Sequence, residues 1–242
     1  MVQGLQRACD LGAPRACNEL GVALLDGDIV ATDDERAVRV LQRGCDLKNP
    51  AACMNLGFTY AEGRGIAKDE SRAQHYYELG CTGDVAPACS MLGQLLDEQD
   101  DADAGAGFEY YEKACKLGDK NGCVNAAHVY LDEDFAQHDT AQALRLFTES
   151  CDADNGSGCV GEAHMLALGV GVAADSRSAL RLYQKGCSLD AYWGCLSYGI
   201  ALSNGDLGER DLDLARKVLT TSCNAKQAQA CSMLESLSEE KK

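Results

Sequence analysis

The cysteines of this chain constrain its fold more than any other feature. Fourteen of its 242 residues are cysteine, and each belongs to a pair with the spacing C-x7-C. Corresponding members of successive pairs lie 36 residues apart, except for one step of 34 residues from Cys81 to Cys115. Self-similarity at a fixed period of this length is typical of helix-turn-helix repeat arrays. The pairs are Cys9 and Cys17, Cys45 and Cys53, Cys81 and Cys89, Cys115 and Cys123, Cys151 and Cys159, Cys187 and Cys195, and Cys223 and Cys231.

The residues between the cysteine pairs follow the same period and predict two helices per repeat. Bulky residues at the third and seventh positions after the second cysteine, such as Leu56 and Tyr60, share one helical face. A small residue at the fourth position, such as Gly57, lets another helix approach. We name this helix A. An aspartate twelve residues before the first cysteine of each later pair predicts the N-cap of a second helix, helix B. These aspartates are Asp33, Asp69, Asp103, Asp139, Asp175 and Asp211.

Each C-x7-C pair joins the end of a helix B to the start of the next helix A. Antiparallel helix ends bring the two side chains together, so we predict seven local disulfides. Free thiols are one alternative, although so regular a set would oxidise easily. Zinc is the other, but structural zinc sites favour C-x(2–4)-C spacing, and the sequence has no CxxC. The predicted fold is an all-α, right-handed α/α solenoid of helix-turn-helix repeats of about 36 residues, stapled by disulfides.

The charge of the chain argues against nucleic acid as a partner. Lys and Arg total 22 against 38 Asp and Glu, which gives a formal net charge of -16, and a strongly acidic surface repels phosphate backbones. No window approaches the roughly 20 apolar residues that cross a bilayer, so we expect no membrane insertion. The start, MVQGLQRACDLG, lacks the basic and apolar segments of an export signal.

The segment ACMNLGFTYAEGRGIAKD at residues 52–69, followed by AQHYY at 73–77, resembles one complete Sel-one-like repeat (SLR) of the tetratricopeptide-like superfamily. The C-x7-C pairs make the chain more specifically similar to the cysteine-rich Hcp-type subgroup, and the resemblance covers residues 5–238. It implies a periplasmic or secreted protein, in agreement with the cysteine content. A related branch of the mitochondrial intermembrane space supplies the alternative location. The resemblance also implies a weak penicillin-binding or β-lactamase activity.

The repeats organise the whole chain. We predict a single SLR solenoid over residues 1–242, with about six full repeats, a partial helix B at the start and a lone helix A at the end. We expect a leader to have been removed before Met1, and we expect the protein to be monomeric.

The search for chemistry finds no complete catalytic constellation. The match to S-x-x-K, Ser238 to Lys241, lies in a charged tail where nothing would desolvate the lysine or hold an oxyanion. His128 and His164 occupy the same position in adjacent A helices, roughly 10 Å apart, which is too far to share one metal ion. The acidic loop 97–103 lacks the ligand pattern of a calcium loop. We therefore predict no enzyme, no metal and no cofactor, with a weak β-lactamase-like enzyme as the alternative.

The concave face of a helical-hairpin solenoid is lined mainly by its A helices. Positions 1, 5, 8 and 9 after each second cysteine should face this groove. They contain no Lys or Arg and combine an apolar strip with an acidic rim, which suits a protein or peptide segment bearing apolar and basic side chains. An assembly role through the convex face is the alternative. The predicted partner-binding residues are Asn18, Val22, Met54, Phe58, Glu62, Gln94, Asp97, Glu98, His128, Asp132, His164, Leu196, Ile200 and Asn204.

Overall fold

A computed structural model of the protein describes residues 1–99, 105–189, 192–208, 210–224 and 226–239. The regular structure in these ranges is α-helical, and the helices alternate as predicted. Odd-numbered helices are B helices and even-numbered ones are A helices. They are α1 (Val2–Asp10), α2 (Pro14–Asp26), α3 (Asp34–Asp46), α4 (Pro50–Glu62), α5 (Glu70–Thr82), α6 (Ala86–Gln99), α7 (Phe108–Lys116), α8 (Lys120–Leu131), α9 (Thr140–Asp152), α10 (Gly156–Leu168), α11 (Ser176–Ser188), α12 (Tyr192–Asn204), α13 (Leu212–Asn224) and α14 (Ala228–Glu239).

A tight turn with a disulfide bond connects B helices to the A helices that follow them. In these turns the residue three positions after the first cysteine has a positive φ, as at Lys48 and Asp84, and the chain reverses direction there. All fourteen cysteines are disulfide-bonded, Cys115 and Cys123 among them. The predicted local pairing is confirmed in Cys9–Cys17, Cys45–Cys53, Cys81–Cys89, Cys151–Cys159, Cys187–Cys195 and Cys223–Cys231, with Cα atoms 4.2–4.7 Å apart.

Small residues next to the cysteines let the two bridged helices approach closely. A Cβ atom built on Gly44 would lie 2.8 Å from the Cβ of Ala52, and one built on Gly80 would lie 2.7 Å from that of Ala88. Both distances are shorter than carbon atoms in contact allow. This pair of small residues recurs one position before each cysteine, but it was not among the features predicted from the repeat.

Aspartate caps begin the B helices, as predicted. The side chain of Asp33 accepts a hydrogen bond of 3.0 Å from the backbone N–H of Arg36, which satisfies one of the donors that a helix N-terminus leaves open. The N–H of Asp33 in turn donates to the carbonyl of Leu24 and closes the loop between α2 and α3. The same two hydrogen bonds occur at Asp69, Asp139, Asp175 and Asp211. The predicted cap Asp103 lies outside the described residues.

Within a hairpin, a bulky side chain of helix B fills the space above a small residue of helix A. The ring of Tyr77 lies against Gly57, so that an added Cβ there would be 2.7 Å from the ring. Leu41 covers Gly21 in the same way, at 2.5 Å. This is the exchange of large and small residues that the repeat predicted.

The chain divides into two compact units. Unit 1 comprises Met1–Gly122 and unit 2 comprises Cys123–Lys242. Each consists of antiparallel helical hairpins in which consecutive helices pack on one another. The all-α, disulfide-stapled α/α solenoid class is thereby confirmed, while a single domain over 1–242 stays a prediction. Among the described residues, no helix has the length and apolarity needed to cross a membrane.

Candidate partner-binding surface

The A helices of each unit lie beside one another. In unit 1, α2 contacts α4 and α4 contacts α6, and in unit 2, α10 contacts α12 and α12 contacts α14. Side chains at equivalent positions of these helices therefore share one surface, which we call the A face of the unit. The predicted strip that joins Phe58 with His128 and Ile200 takes residues from both units and stays a prediction.

The first predicted residues of unit 1, Asn18 and Val22, line a depression of about 260 Å³ at the end of α2. Its wall also contains Asp26, Asp28 and Ile29. Ile29 is 55% exposed. The depression thus presents apolar side chains next to carboxylates.

The middle of the unit 1 A face is less open than the sequence suggested. Met54 and Phe58 are half-buried and pack against the hydrophobic core of the unit. Asn55 Nδ2 donates a hydrogen bond of 2.8 Å to Asn18 Oδ1 and links α4 to α2. Phe58 therefore contributes to packing as well as to the surface.

Glu62 and Glu98 form an acidic rim on unit 1. Both are exposed, as is Gln94. Burial, followed by the charges of Glu62 and Glu98, raises the pKa of Tyr77 to about 12. The pKa of Lys68 is raised first by its hydrogen bond to Glu70 and further by the same two carboxylates. The two glutamates therefore act on common neighbours.

Asp97 has a different role from the one that its helical position suggested. Its carboxylate accepts hydrogen bonds of 2.8 Å from the backbone N–H of Gly107 and from the hydroxyl of Tyr111. Burial and this hydrogen bond raise the pKa of Tyr111. The carboxylate thus ties α6 to the start of α7, and its capacity for a partner is reduced.

In unit 2, the two predicted histidines repeat one arrangement. The ring of His128 stands edge-on to Phe147, with centroids 5.0 Å apart, and that of His164 stands edge-on to Tyr183 at 5.3 Å. Both imidazoles are open to solvent but lie in a depression whose walls partly desolvate them. Desolvation lowers the pKa of each, and the neighbouring His164 lowers that of His128 further.

Two depressions of unit 2 meet at Trp193. One, of about 360 Å³, contains His128, His164 and Val160. The other, of about 610 Å³, contains the predicted residues Leu196 and Ile200 together with Met233. Leu196 is itself buried and forms part of the floor.

The remaining predicted residues of unit 2 take part in loops. Asp132 Oδ1 accepts a hydrogen bond of 2.9 Å from the N–H of Asp134. Asn204 Nδ2 donates to Asp206 Oδ2 at 3.2 Å. Both side chains lie at the ends of their A helices, where they shape turns.

Trp193 is the functional candidate that sequence reasoning missed. It is the chain's one tryptophan, it lies on the first turn of α12, and 54% of it is exposed. Comparison between repeats could have found it, because the equivalent positions hold smaller or polar residues. These are Arg15, Ala51, Pro87, Asn121, Ser157 and Gln229.

The described residues contain no group of three or more His, Cys, Asp or Glu side chains that could hold a metal ion. The acidic loop falls outside them from Asp100 to Asp103, and the S-x-x-K match falls outside them at Glu240 and Lys241.

Fold and surface together define the class of protein: a disulfide-stapled α/α solenoid of the kind that serves as an interaction scaffold. More specifically, the model of the Sel1 repeat matches residues 14–49, 50–85, 86–119, 121–155 and 160–190. The chain therefore belongs to the Sel1 repeat family, as the resemblance predicted. Proteins of this family are generally scaffolds for protein–protein interaction, and their fold is non-enzymatic.

Solved structures show the same fold. The Sel1 repeat protein from Oxalobacter formigenes superposes with a TM-score of 0.81 at 21% identity, over 87% of this chain and 85% of that one. The protective antigen c5321 of uropathogenic Escherichia coli, which displays an SLR fold, gives 0.74 at 22% identity, over 98% of this chain and 51% of the antigen. No curated protein matches the sequence.

Proposed function

We propose that this protein is an interaction scaffold that binds an extended protein or peptide segment on its A faces. The observation that carries this proposal is the lining of the four depressions on these faces. Apolar side chains line all four, and two of them also contain carboxylates: Glu19, Asp26 and Asp28 in one, and Asp206 in the other. Among the residues described there is no lysine or arginine in their walls. Exposed apolar side chains in concave surfaces are typical of binding sites.

The chemistry of the partner follows from the charge. The acidic rim of Glu62 and Glu98 and the carboxylates beside Ile29 favour basic side chains, while the apolar walls favour aliphatic or aromatic ones. The net charge of -16 steers a basic segment towards the protein and repels nucleic acid. We therefore propose a segment with both apolar and basic side chains.

The compartment follows from the cysteines. Fourteen disulfide-bonded cysteines persist in oxidising surroundings and are rare where thiols are kept reduced. We propose a periplasmic or secreted location, with the mitochondrial intermembrane space as the alternative.

Substitutions on the A helices and on a B helix test the proposal. A partner isolated from the native compartment and identified by mass spectrometry is titrated against the wild type, Phe58→Ala, and the double variant Glu62→Lys with Glu98→Lys. Phe58→Ala should weaken binding by about 1–3 kcal/mol, as truncation of an aromatic anchor does. The charge reversal should slow association and flatten its salt dependence. Because Phe58 is half-buried, thermal unfolding must show that the variant remains folded.

The matched control is Arg39→Glu, an exposed charge reversal on the B helix α3. It should leave binding unchanged. If Arg39→Glu abolishes binding while the A-face variants bind normally, the partner uses the B helices, and the proposed surface is wrong.

A further inference from the structure

The depression between α8, α10 and α12 in unit 2 has the chemistry of a side-chain pocket. Its walls are formed by Trp193, the rings of His128 and His164, and the buried side chain of Val160. Its volume of about 360 Å³ exceeds the roughly 150 Å³ that suffices to hold a benzene molecule. One large side chain of a partner therefore fits in it.

The pocket carries no net charge at neutral pH. Its walls contain no lysine, arginine, aspartate or glutamate among the residues described. The other titratable groups near the imidazoles are Tyr183, against which His164 stands, and Asp206, which shares an adjoining depression with His164. A charged side chain placed here would lose hydration without gaining a partner, whereas an apolar one would gain contacts.

One polar group of the wall lacks a partner. The side-chain amide nitrogen of Asn125 is buried and has no hydrogen-bond acceptor among the described residues. A rotation of this amide towards the pocket would let it donate to a main-chain carbonyl of a bound segment. The feature favours a peptide over a purely hydrocarbon ligand.

We propose that the pocket formed by His128, His164 and Trp193 binds one large, uncharged apolar side chain of a peptide segment. This inference rests on the proposed scaffold function and specifies one of its contacts. It differs from the acidic rim of unit 1, which selects basic side chains.

The imidazoles make this contact sensitive to pH. Desolvation already lowers the pKa of both histidines, so both are neutral at pH 7 and present aromatic walls. A bound apolar side chain would desolvate them more, which favours the neutral form further. By linkage, protonation of the free protein opposes binding, so affinity is highest where both imidazoles are already neutral and decreases as the pH falls through their lowered pKa values, below the ordinary histidine range.

The experiment uses the emission of Trp193, the chain's one tryptophan. Because Trp193 borders both this pocket and the depression of Leu196 and Ile200, the pH dependence and the histidine variants below assign the response to this pocket. The probes are the capped peptides Ac-Gly-Ser-X-Ser-Gly-NH2, with X as Leu, Phe, Ser or Lys, titrated into the full chain. The Leu and Phe peptides should shift the emission to shorter wavelength, and the Ser and Lys peptides should not. The Leu and Phe peptides should bind at least about threefold more weakly at about pH 5 than at about pH 7.5.

Substitutions in the pocket test whether peptide binding and its pH dependence arise there. Trp193→Ser introduces the residue that the preceding repeat has at Ser157, and it should weaken binding of the Leu peptide, measured by calorimetry, at least about tenfold. His128→Gln combined with His164→Gln should remove the pH dependence. Leu47→Ser, a matched change of an exposed apolar residue on unit 1, should have no effect.

Several results would overturn the inference: no emission change with any peptide, equal binding of the Lys and Leu peptides, or undiminished binding by Trp193→Ser. Affinity that rises in acid would overturn it as well. If the peptides fail while Phe58→Ala still weakens the native partner, the scaffold function stands and only this pocket assignment falls. If the peptides do not bind and Phe58→Ala does not weaken binding of the native partner, the pocket assignment and the proposed function are both wrong.

Discussion

Units 1 and 2 share one structural frame but present different surfaces. Both contain the disulfide turns and the aspartate caps of the B helices. On the A face, unit 1 presents the exposed carboxylates of Glu62 and Glu98, whereas unit 2 presents Trp193 and the imidazoles of His128 and His164, which line one depression. The cysteines and caps that hold the repeat together are thus separate from these outward-facing side chains, although Phe58 contributes to both packing and surface. A repeat array can vary its recognition surface without changing its frame.

The frame itself is not uniform, as a pair of equivalent glycines shows. Gly65 in unit 1 and Gly171 in unit 2 both lie in the loop after an A helix, with φ of 68° and 67°. A Cβ on Gly65 would lie 2.3 Å from the backbone carbonyl carbon of Asp34, whereas one on Gly171 would lie 2.8 Å from the side chain of Thr140. The unit 1 loop therefore packs directly on the backbone of the preceding repeat.

The largest expected effect comes from these glycines. Gly65→Ala should lower the free energy of unfolding by about 3–5 kcal/mol, because the backbone of α3 must move and alanine is strained at positive φ. Gly171→Ala should cost about half of that, about 2 kcal/mol, since the contact is looser. Urea denaturation with hydrogen exchange would measure both and locate the loosened unit.

Gly118→Ala is the control for backbone strain at positive φ without a steric clash. Gly118 has a φ of 94°, and a Cβ there would meet nothing within 4 Å, so a cost of about 1 kcal/mol is expected. If Gly65→Ala is no more harmful than Gly118→Ala, the close approach in unit 1 is not structurally important.

The disulfides should give an effect that is smaller than that of Gly65→Ala and equal in the two units. Replacing Cys45 and Cys53 together by alanine removes a bridge of unit 1, and replacing Cys151 and Cys159 removes one of unit 2. A bridge that closes a loop of about nine residues lowers the conformational entropy of the unfolded chain. This stabilises the folded protein by about 2.5 kcal/mol. Denaturation under non-reducing conditions should show this loss in both variants. A loss confined to one unit would mean that the bridges differ in strain or in local packing.

Most of the fold could be predicted because each structural position is repeated. Asp33 alone would be a weak sign of a helix start, but six aspartates at one spacing indicate a cap, and the structure confirms five of them. The cysteine pairing was predictable for the same reason. The close approach of Gly44 to Ala52 was also present in every repeat, but it depends on the distance between two helices, which a single-helix pattern does not reveal.

The candidate surface could be predicted only in part, because its residues do not recur. Helical register placed His128 and His164 on the A face, and in the structure both line one depression. It could not show that Asp97 turns towards Gly107 and Tyr111, since those contacts depend on the next helix. Trp193 was missed because it lies two residues before Cys195, outside the positions that the register assigned to the groove.

The smallest expected effect concerns an ionic contact that both units share. Lys113 Nζ donates to the carbonyl of Cys81 at 2.7 Å and pairs with Asp84 at 3.2 Å. Lys185 makes the equivalent contacts with Cys151 at 2.7 Å and with Asp154 at 3.3 Å. Each lysine thus joins one B helix to the end of the previous one.

Because these lysines are partly exposed, solvent screening keeps their contribution small. Lys113→Met and Lys185→Met should each lower the free energy of unfolding by about 0.5–1 kcal/mol, measured by urea denaturation at low salt, and the loss should shrink as salt is added. Asp84→Asn removes the ion pair but keeps the carbonyl contact, and asparagine tolerates the positive φ of this turn. It should therefore cost less than Lys113→Met. If Asp84→Asn costs as much, the ion pair rather than the carbonyl hydrogen bond links the repeats; if only one lysine variant is destabilised, the contact is a local feature of that unit and not part of the common frame.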